Sequence, residues 1–299
     1  MATEWYDVRC QLAWAAGFFD GEGSTGTWPN KNRPGAINLF ANVPQQSASS
    51  DKIPAVLTRF HVAVRGLGRI SAPTLDLRSG TYLHQWRTHS FEEVQAVVAL
   101  LWQDLGPVKR AQAARALRAY HAQFRQIRAR YRRPARTRRV DLPAAVHPVE
   151  KTRTELAWAA GLFDGEGSTE TRQRRRGAQT WSGLRSKVSQ CDADGVPSVL
   201  TRFRVAVGVG WIEGPQSGDG YANAYKWAAG GADTVCALEL LWPYLGAVKR
   251  DQALDAVSRL DARELIRRYR WRTAAYEFAD RHRRFGEPLV RYAWETSAV

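Results

Sequence analysis

Residues 12–25 read LAWAAGFFDGEGST, and residues 156–169 read LAWAAGLFDGEGST. Thirteen of the fourteen positions are identical, Phe18 against Leu162 being the single change. A match of that length at a distance of 144 positions (156 − 12) marks an internal duplication. Two further blocks keep the same order. VLTRFHVAV at 56–64 answers VLTRFRVAV at 199–207, and LLWQDLGPVKRAQA at 100–113 answers LLWPYLGAVKRDQA at 240–253. The chain therefore reads as two colinear halves, 1–132 and 153–299, joined over 133–152 by a basic, proline-containing linker. Two copies are too few for a solenoid; two similar halves pack around a pseudo-two-fold axis, where residues meet their own copies.

The repeated segment suits that axis. Leu12–Phe19 and Leu156–Phe163 predict short helices. In the first, Ala13, Ala16, Gly17 and Asp20 share one face, and Ala157, Ala160, Gly161 and Asp164 repeat it. Side chains this small let two helix backbones approach closely, while Leu12, Trp14, Phe18 and Phe19 turn to a core. Each helix runs into Asp-Gly-Glu-Gly, where glycine suits a left-handed cap. Carboxylates there meet the negative end of the helix dipole. Pairing the helices gathers Asp20, Glu22, Asp164 and Glu166 in one region, and such acids repel, take up protons or bind cations. A hard divalent cation with oxygen ligands, Mg²⁺ by default, resolves the conflict.

Composition makes that pocket an exception. The 299 residues carry 44 Lys and Arg against 29 Asp and Glu, a net charge of +15. With 44% hydrophobic and 11% aromatic residues the chain is too apolar for a disordered polycation. A folded protein of this charge takes a polyanionic partner, nucleic acid or a membrane surface. Apolar runs such as Leu12–Phe19 are eight residues long, far short of the roughly twenty that span a bilayer. The opening MATEWYDVRCQ shows no basic segment followed by an apolar one, which points to a cytoplasmic or nucleoid-associated protein. Cys10, Cys191 and Cys236 are scattered and odd in number, against a zinc ribbon or a disulfide framework. Residues 125–139 hold eight Arg and no acid, either a solvated charge run or a phosphate contact.

At this point the sequence resembles the LAGLIDADG homing endonucleases in their single-chain, two-motif form. AAGFFDGEG at 15–23 and AAGLFDGEG at 159–167 match the nine-residue motif position by position, with Ala for the first Leu, Gly for the second Ala and Glu for the final Asp. The resemblance implies an α+β fold, αββαββα in each half, with two four-stranded antiparallel sheets forming a saddle over DNA and the motif helices at the interface. It implies that Glu22 and Glu166 are metal ligands, with the carbonyls of Gly21 and Gly165 as additional ones, and that Asp20 and Asp164 shape the helix ends. A Gln near the scissile phosphate falls on Gln190 and on Gln45, with Gln46 the rival; a Lys before a helix falls on Lys109 and Lys249. Lys is scarce, 7 against 37 Arg, and a compact ammonium steadies developing phosphate charge.

Strand parity gives a separate view of the nucleic-acid face. In INLFANV (37–43), Ile37, Leu39, Ala41 and Val43 share the core parity, and Asn38, Phe40 and Asn42 the other. In GLRSKV (183–188), Arg185 and Lys187 oppose Leu184 and Val188. By the same alignment Trp28, Asn30, Arg69, Ser71, Gln85, Arg87, Arg172, Arg174 and Lys226 join the polar face, as base contacts or phosphate contacts. QRRRGA (173–178) reads as a cationic loop for phosphate. The motif is repeated while these faces diverge, so the expected target is asymmetric. The expected activity is Mg²⁺-dependent double-strand cleavage of a long DNA site by a monomer, with two or more ions at the interface. The resemblance implies cutting across the minor groove to leave short 3′ overhangs. The alternative is a catalytically silent relative, an RNA maturase or a transcription regulator.

Overall fold

A computed structural model describes residues 2–131, 151–176, 179–193, 195–216 and 223–259. The chain divides into two compact units, residues 1–150 and 151–299. The expected linker lies outside the described residues, except that Lys151 and Thr152 open a helix.

The first unit runs α1 (Ala2–Glu22), β1 (Ser24–Pro29), β2 (Ile37–Ser47), α2 (Ala55–Ala63), β3 (Arg69–Ile70), β4 (Thr74–Asp76), β5 (Thr81–Thr88), α3 (Phe91–Leu101) and α4 (Pro107–Tyr131). The second runs α5 (Lys151–Glu166), β6 (Gly167–Arg176), β7 (Gln179–Asp192), α6 (Ser198–Val207), β8 (Trp211–Gln216), β9 (Asn223–Gly230), α7 (Ala232–Leu241) and α8 (Ala247–Ser258). Over the described residues each unit is thus αββαββα with one further helix. All strand pairs are antiparallel, in the order β1-β2-β5-β3 and β6-β7-β9-β8. The first sheet counts five strands rather than four because β3 and β4 pair with successive stretches of β5, an edge strand interrupted between Ile70 and Thr74.

The motif helices are longer than Leu12–Phe19 and Leu156–Phe163, at 21 and 16 residues, because the polar segments before them continue the same helix. From Ala13 to Asp20 every α1 residue is buried, as befits a helix that is apolar all round. The glycines that follow are not left-handed caps. Gly23 and Gly167 keep negative φ, and the chain passes almost directly from helix to strand. They are glycines for room: a Cβ on Gly23 would stand 2.3 Å from the Phe19 ring, and one on Gly167 would stand 2.4 Å from Phe163.

That ring begins a core motif present in both units. Phe19 stacks on Phe60 at 6.1 Å, and Phe60 meets Trp86 edge-on at 4.9 Å. Phe163, Phe203 and Trp227 repeat this at 6.3 and 4.8 Å. Each aromatic contact adds about 0.5–1.5 kcal/mol beyond its burial. The Trp86 indole N–H donates to the Leu67 carbonyl and that of Trp227 to the Val209 carbonyl, so neither ring buries an unpaired donor. Leu39, Ala41 and Val43 of β2, and Leu184, Ser186 and Val188 of β7, are buried on the helix side of their sheets, leaving the opposite parity for function.

Candidate functional site

The end of each motif helix is held by a two-way clasp. Both carboxylate oxygens of Asp20 accept the Gly106 N–H, at 3.0 and 2.8 Å, just before α4 begins. From the first turn of α4, Lys109 donates its ammonium to the Gly23 carbonyl at 2.5 Å, just past the end of α1. Asp164 with Gly246 (3.0 and 2.9 Å) and Lys249 with Gly167 (2.6 Å) repeat the arrangement. The charges are complementary to the dipoles: an anion caps the positive start of one helix, and a cation sits at the negative finish of the other. Gly106 and Gly246 have no side chain because a Cβ there would come within 3.2 Å of the Asp oxygens. Both lysines stand inside their helices, in the first turn, rather than before them.

The two kinds of acid take different places. Asp20 and Asp164 are buried and engaged with glycine N–H groups, whereas Glu22 and Glu166, two residues on, are half-exposed. Residues two apart on a helix do not face the same way, so each unit separates its Asp from its Glu. Among the described residues no three His, Cys, Asp or Glu side chains group as a metal site. What remains for a cation is the Glu22 and Glu166 carboxylates, with Gly21 and Gly165 beside them in the last helical turn, where carbonyls lack intrahelical partners.

Register gives Gln190 a counterpart in the first sheet. Val43 pairs with Trp86 and Val188 with Trp227, so Gln45, opposite His84, is the counterpart of Gln190, opposite Tyr225. Both carry the helix-side parity at the ends of their strands, while Gln46 carries the polar parity.

The polar faces of the two sheets can be laid over each other row by row. One row reads Ser24, Asn42, Arg87, Arg69 in the first sheet and Ser168, Lys187, Ala228, Trp211 in the second. On one side of it Gly26 and Phe40 answer Glu170, Arg185 and Gly230; on the other, Pro44 and Gln85, with Ser71 bonded to the Gln85 carbonyl, answer Ser189, Lys226 and Glu213. In the first sheet Asn30 donates to Asn38 at 3.0 Å, Ser24 donates to Asn42, and Trp28 packs on Phe40 at 5.1 Å and edge-on to His89 at 5.2 Å. Burial, together with the charges of Arg87 and Arg69, holds the His89 imidazole below its usual pKa despite a backbone hydrogen bond at Leu39, leaving it neutral near pH 7. The buried Arg87 Nε has no hydrogen-bond partner among the described residues.

The second face holds acids beside its basic residues. Arg185 donates to both oxygens of Glu213 at 3.2 and 3.1 Å, Lys226 lies 3.5 Å from the same carboxylate, and Lys187 lies 3.7 Å from Glu170. Partial burial opposes the charge on Glu213, but the Trp211 N–H, Arg185 and Lys226 outweigh it and hold its carboxyl below the usual range. Arg172 is exposed on β6; the Arg174 side chain lies outside the described residues. The first four residues of QRRRGA belong to β6 rather than to a loop, and the last two lie outside the described residues.

Sequence reading missed Glu213, Trp211, Glu170 and His89. A signal for the first two was present: GRISAP at 68–73 and GWIEGP at 210–215 form a fourth repeat block, which places Trp211 on Arg69 and Glu213 on Ser71.

No family model and no curated protein sequence matches the chain. Solved structures match over most of its length. LAGLIDADG meganuclease I-AabMI bound to uncleaved DNA is 16% identical, covering 92% of this chain and 97% of its own with a TM-score of 0.56. I-SmaMI bound to an uncleaved DNA target in the presence of calcium ions is 15% identical over 91% and 97%, with a TM-score of 0.54. LAGLIDADG homing endonuclease I-GzeII in complex with its DNA target is 14% identical over 83% and 89%, with a TM-score of 0.53. No described helix is long and apolar enough to cross a membrane. Duplicated motif helices, duplicated clasps and one antiparallel sheet per unit give this chain the fold of the single-chain LAGLIDADG homing endonucleases.

Proposed function

We propose that the protein is a site-specific DNA endonuclease that makes a double-strand break in a long, asymmetric target as a monomer. The observation that carries this is the duplicated clasp. Twice over, one half-exposed Glu is presented at the end of a helix locked by an Asp and a Lys, beside a sheet with a polar outer face. A stop signal for a helix needs no such apparatus.

Glu22 and Glu166, with the Gly21 and Gly165 carbonyls, would hold divalent cations. The donors are hard oxygens and few, which fits Mg²⁺, an ion that takes one or two carboxylates and fills its shell with water and substrate phosphate. When bound, such a cation supplies charge neutralisation at phosphorus and a more acidic water. The chain's own residues do the rest. Asp20 and Asp164 fix the helix ends. Lys109 and Lys249 place positive charge where phosphate charge develops. Gln45 and Gln190 orient water near the scissile bond. Trp28, Asn30, Asn38, Phe40, Asn42, Arg69, Ser71, Gln85 and Arg87 on one side, and Arg172, Arg174, Arg185, Lys187 and Lys226 on the other, bind the flanking duplex. Cleavage across the minor groove with short 3′ overhangs follows from this reading. So does an asymmetric target, because the two polar faces differ row by row.

The test is a Mg²⁺-dependent cleavage selection on a randomised DNA library. It should return one non-palindromic sequence, cut only with the cation present. Glu22→Gln and Glu166→Gln should each stop double-strand cleavage of that target and leave binding intact. Full cleavage by both single variants, or a perfectly palindromic target, would overturn the reading.

A further inference from the structure

Glu213 is out of place on a surface read as meeting polyphosphate. A carboxylate there repels the DNA backbone, and nothing in the fold requires it, since the equivalent position in the first sheet is Ser71. Its surroundings are built with care. Arg185 stands two strands away and reaches it across Ala228, which is on the outward parity yet 0% exposed. Trp211 donates its indole N–H to Glu213 at 2.9 Å, and its ring ends 3.8 Å from where a Cβ on Gly230 would stand. Small residues on β9 thus leave room for an arginine and an indole to converge on one carboxylate. An arginine meant for phosphate gains nothing from this, because a flexible cation reaches a phosphate from many directions. An arginine meant for a base edge gains a fixed direction, since bidentate contact to guanine O6 and N7 demands one orientation of the guanidinium plane.

Resting on the DNA-endonuclease reading above, we propose that Glu213 is a specificity-determining residue. It pins Arg185, with Lys226 alongside, to read guanine in the major groove at one base pair or two adjacent ones. Glu213 is bonded through Nη2 alone, and Nη1 together with the second Nη2 hydrogen forms the end-on fork that can meet O6 and N7. The charge balance is also favourable: two cations around one carboxylate leave the cluster net positive toward DNA.

The experiment is a binding selection on randomised duplex DNA with the full chain, in Ca²⁺ and at fixed salt, for the wild type, Glu213→Gln and Arg185→Lys. The wild type should select guanine at the position or positions concerned. Glu213→Gln should lower that preference about tenfold, leave the other positions as they were, and raise affinity for random duplex by removing a negative charge. Arg185→Lys should weaken the same position, and the double variant should lose no more than either single. A fall in the folded fraction scales every position equally, so a loss confined to one or two positions reports recognition rather than stability. Unchanged preference at every position in Glu213→Gln, with a wild type that does select a sequence, overturns this proposal alone. A wild type that selects no sequence overturns the endonuclease reading, and this proposal with it.

Discussion

The two units keep one set of residues to the atom and share little of another. The frame is copied: Phe19, Phe60 and Trp86 against Phe163, Phe203 and Trp227; the Arg59 guanidinium 3.8 Å over Trp14 against Arg202 3.9 Å over Trp158; and the two clasps. The polar faces are not copied. Where one row presents Asn42, Arg87 and Arg69, its counterpart presents Lys187, Ala228 and Trp211. The frame meets itself in both units and has one solution. The faces answer to no such constraint within the unit, and under the proposed function each would meet a different stretch of duplex. Such divergence is what the proposed asymmetric target would ask of the two faces.

The largest expected effect tests whether the frame is equal in its chemistry. Lys109→Ala and Lys249→Ala should each slow cleavage on the order of a hundredfold, measured on the selected target with nicking and double-strand products resolved. A difference above about tenfold between the two would break the equivalence of the clasps. Next comes stability. Asp20→Ala leaves the Gly106 N–H buried without its carboxylate, and Asp164→Ala does the same to Gly246. Each should lower the unfolding free energy by about 1–3 kcal/mol in urea titration. A variant within the error of wild type would remove the clasp from the list of what holds that unit.

The smallest effect belongs to a face. The Glu213 carboxyl is held below its usual range, so its ion pairs stabilise the fold at neutral pH, and that contribution is lost as pH falls through the lowered value. Glu213→Gln should therefore be less stable than wild type by about half a kcal/mol at pH 7. The gap should close in acid, where both side chains are neutral. A gap that stays constant from pH 7 to below the carboxylate range would show the effect to be packing rather than charge. Together these measurements ask whether the frame carries stability and chemistry in duplicate while the faces carry recognition singly.

Much of the frame was legible in the sequence because the duplication repeats it. LAWAAG(F/L)FDGEGST located both motif helices and their acids, and alternation in INLFANV and GLRSKV assigned the core parity that the sheets adopt. What sequence reading missed was contact. Asp20 and Gly106 both lie in repeated blocks, but nothing local says that residues 86 apart meet. The glycines after the motif looked like left-handed caps because that is glycine's common use at a helix end; here a phenyl ring occupies the space instead. Glu213 escaped because a search for a basic face passes over acids, and its meaning rests on a partner two strands away.

The clasp also bears on the order of events during synthesis. It ties the end of the first described helix of a unit to the start of its last described one, across 86 residues in one unit and 82 in the other. A nascent unit can stack its rings and pair its early strands before then. Its acidic helix end stays untethered until the final helix has emerged and docked. Contacts this distant in sequence form late. A truncated or half-made unit would hold the carboxylate but not the geometry, so under the proposed function cleavage would wait until each unit is finished.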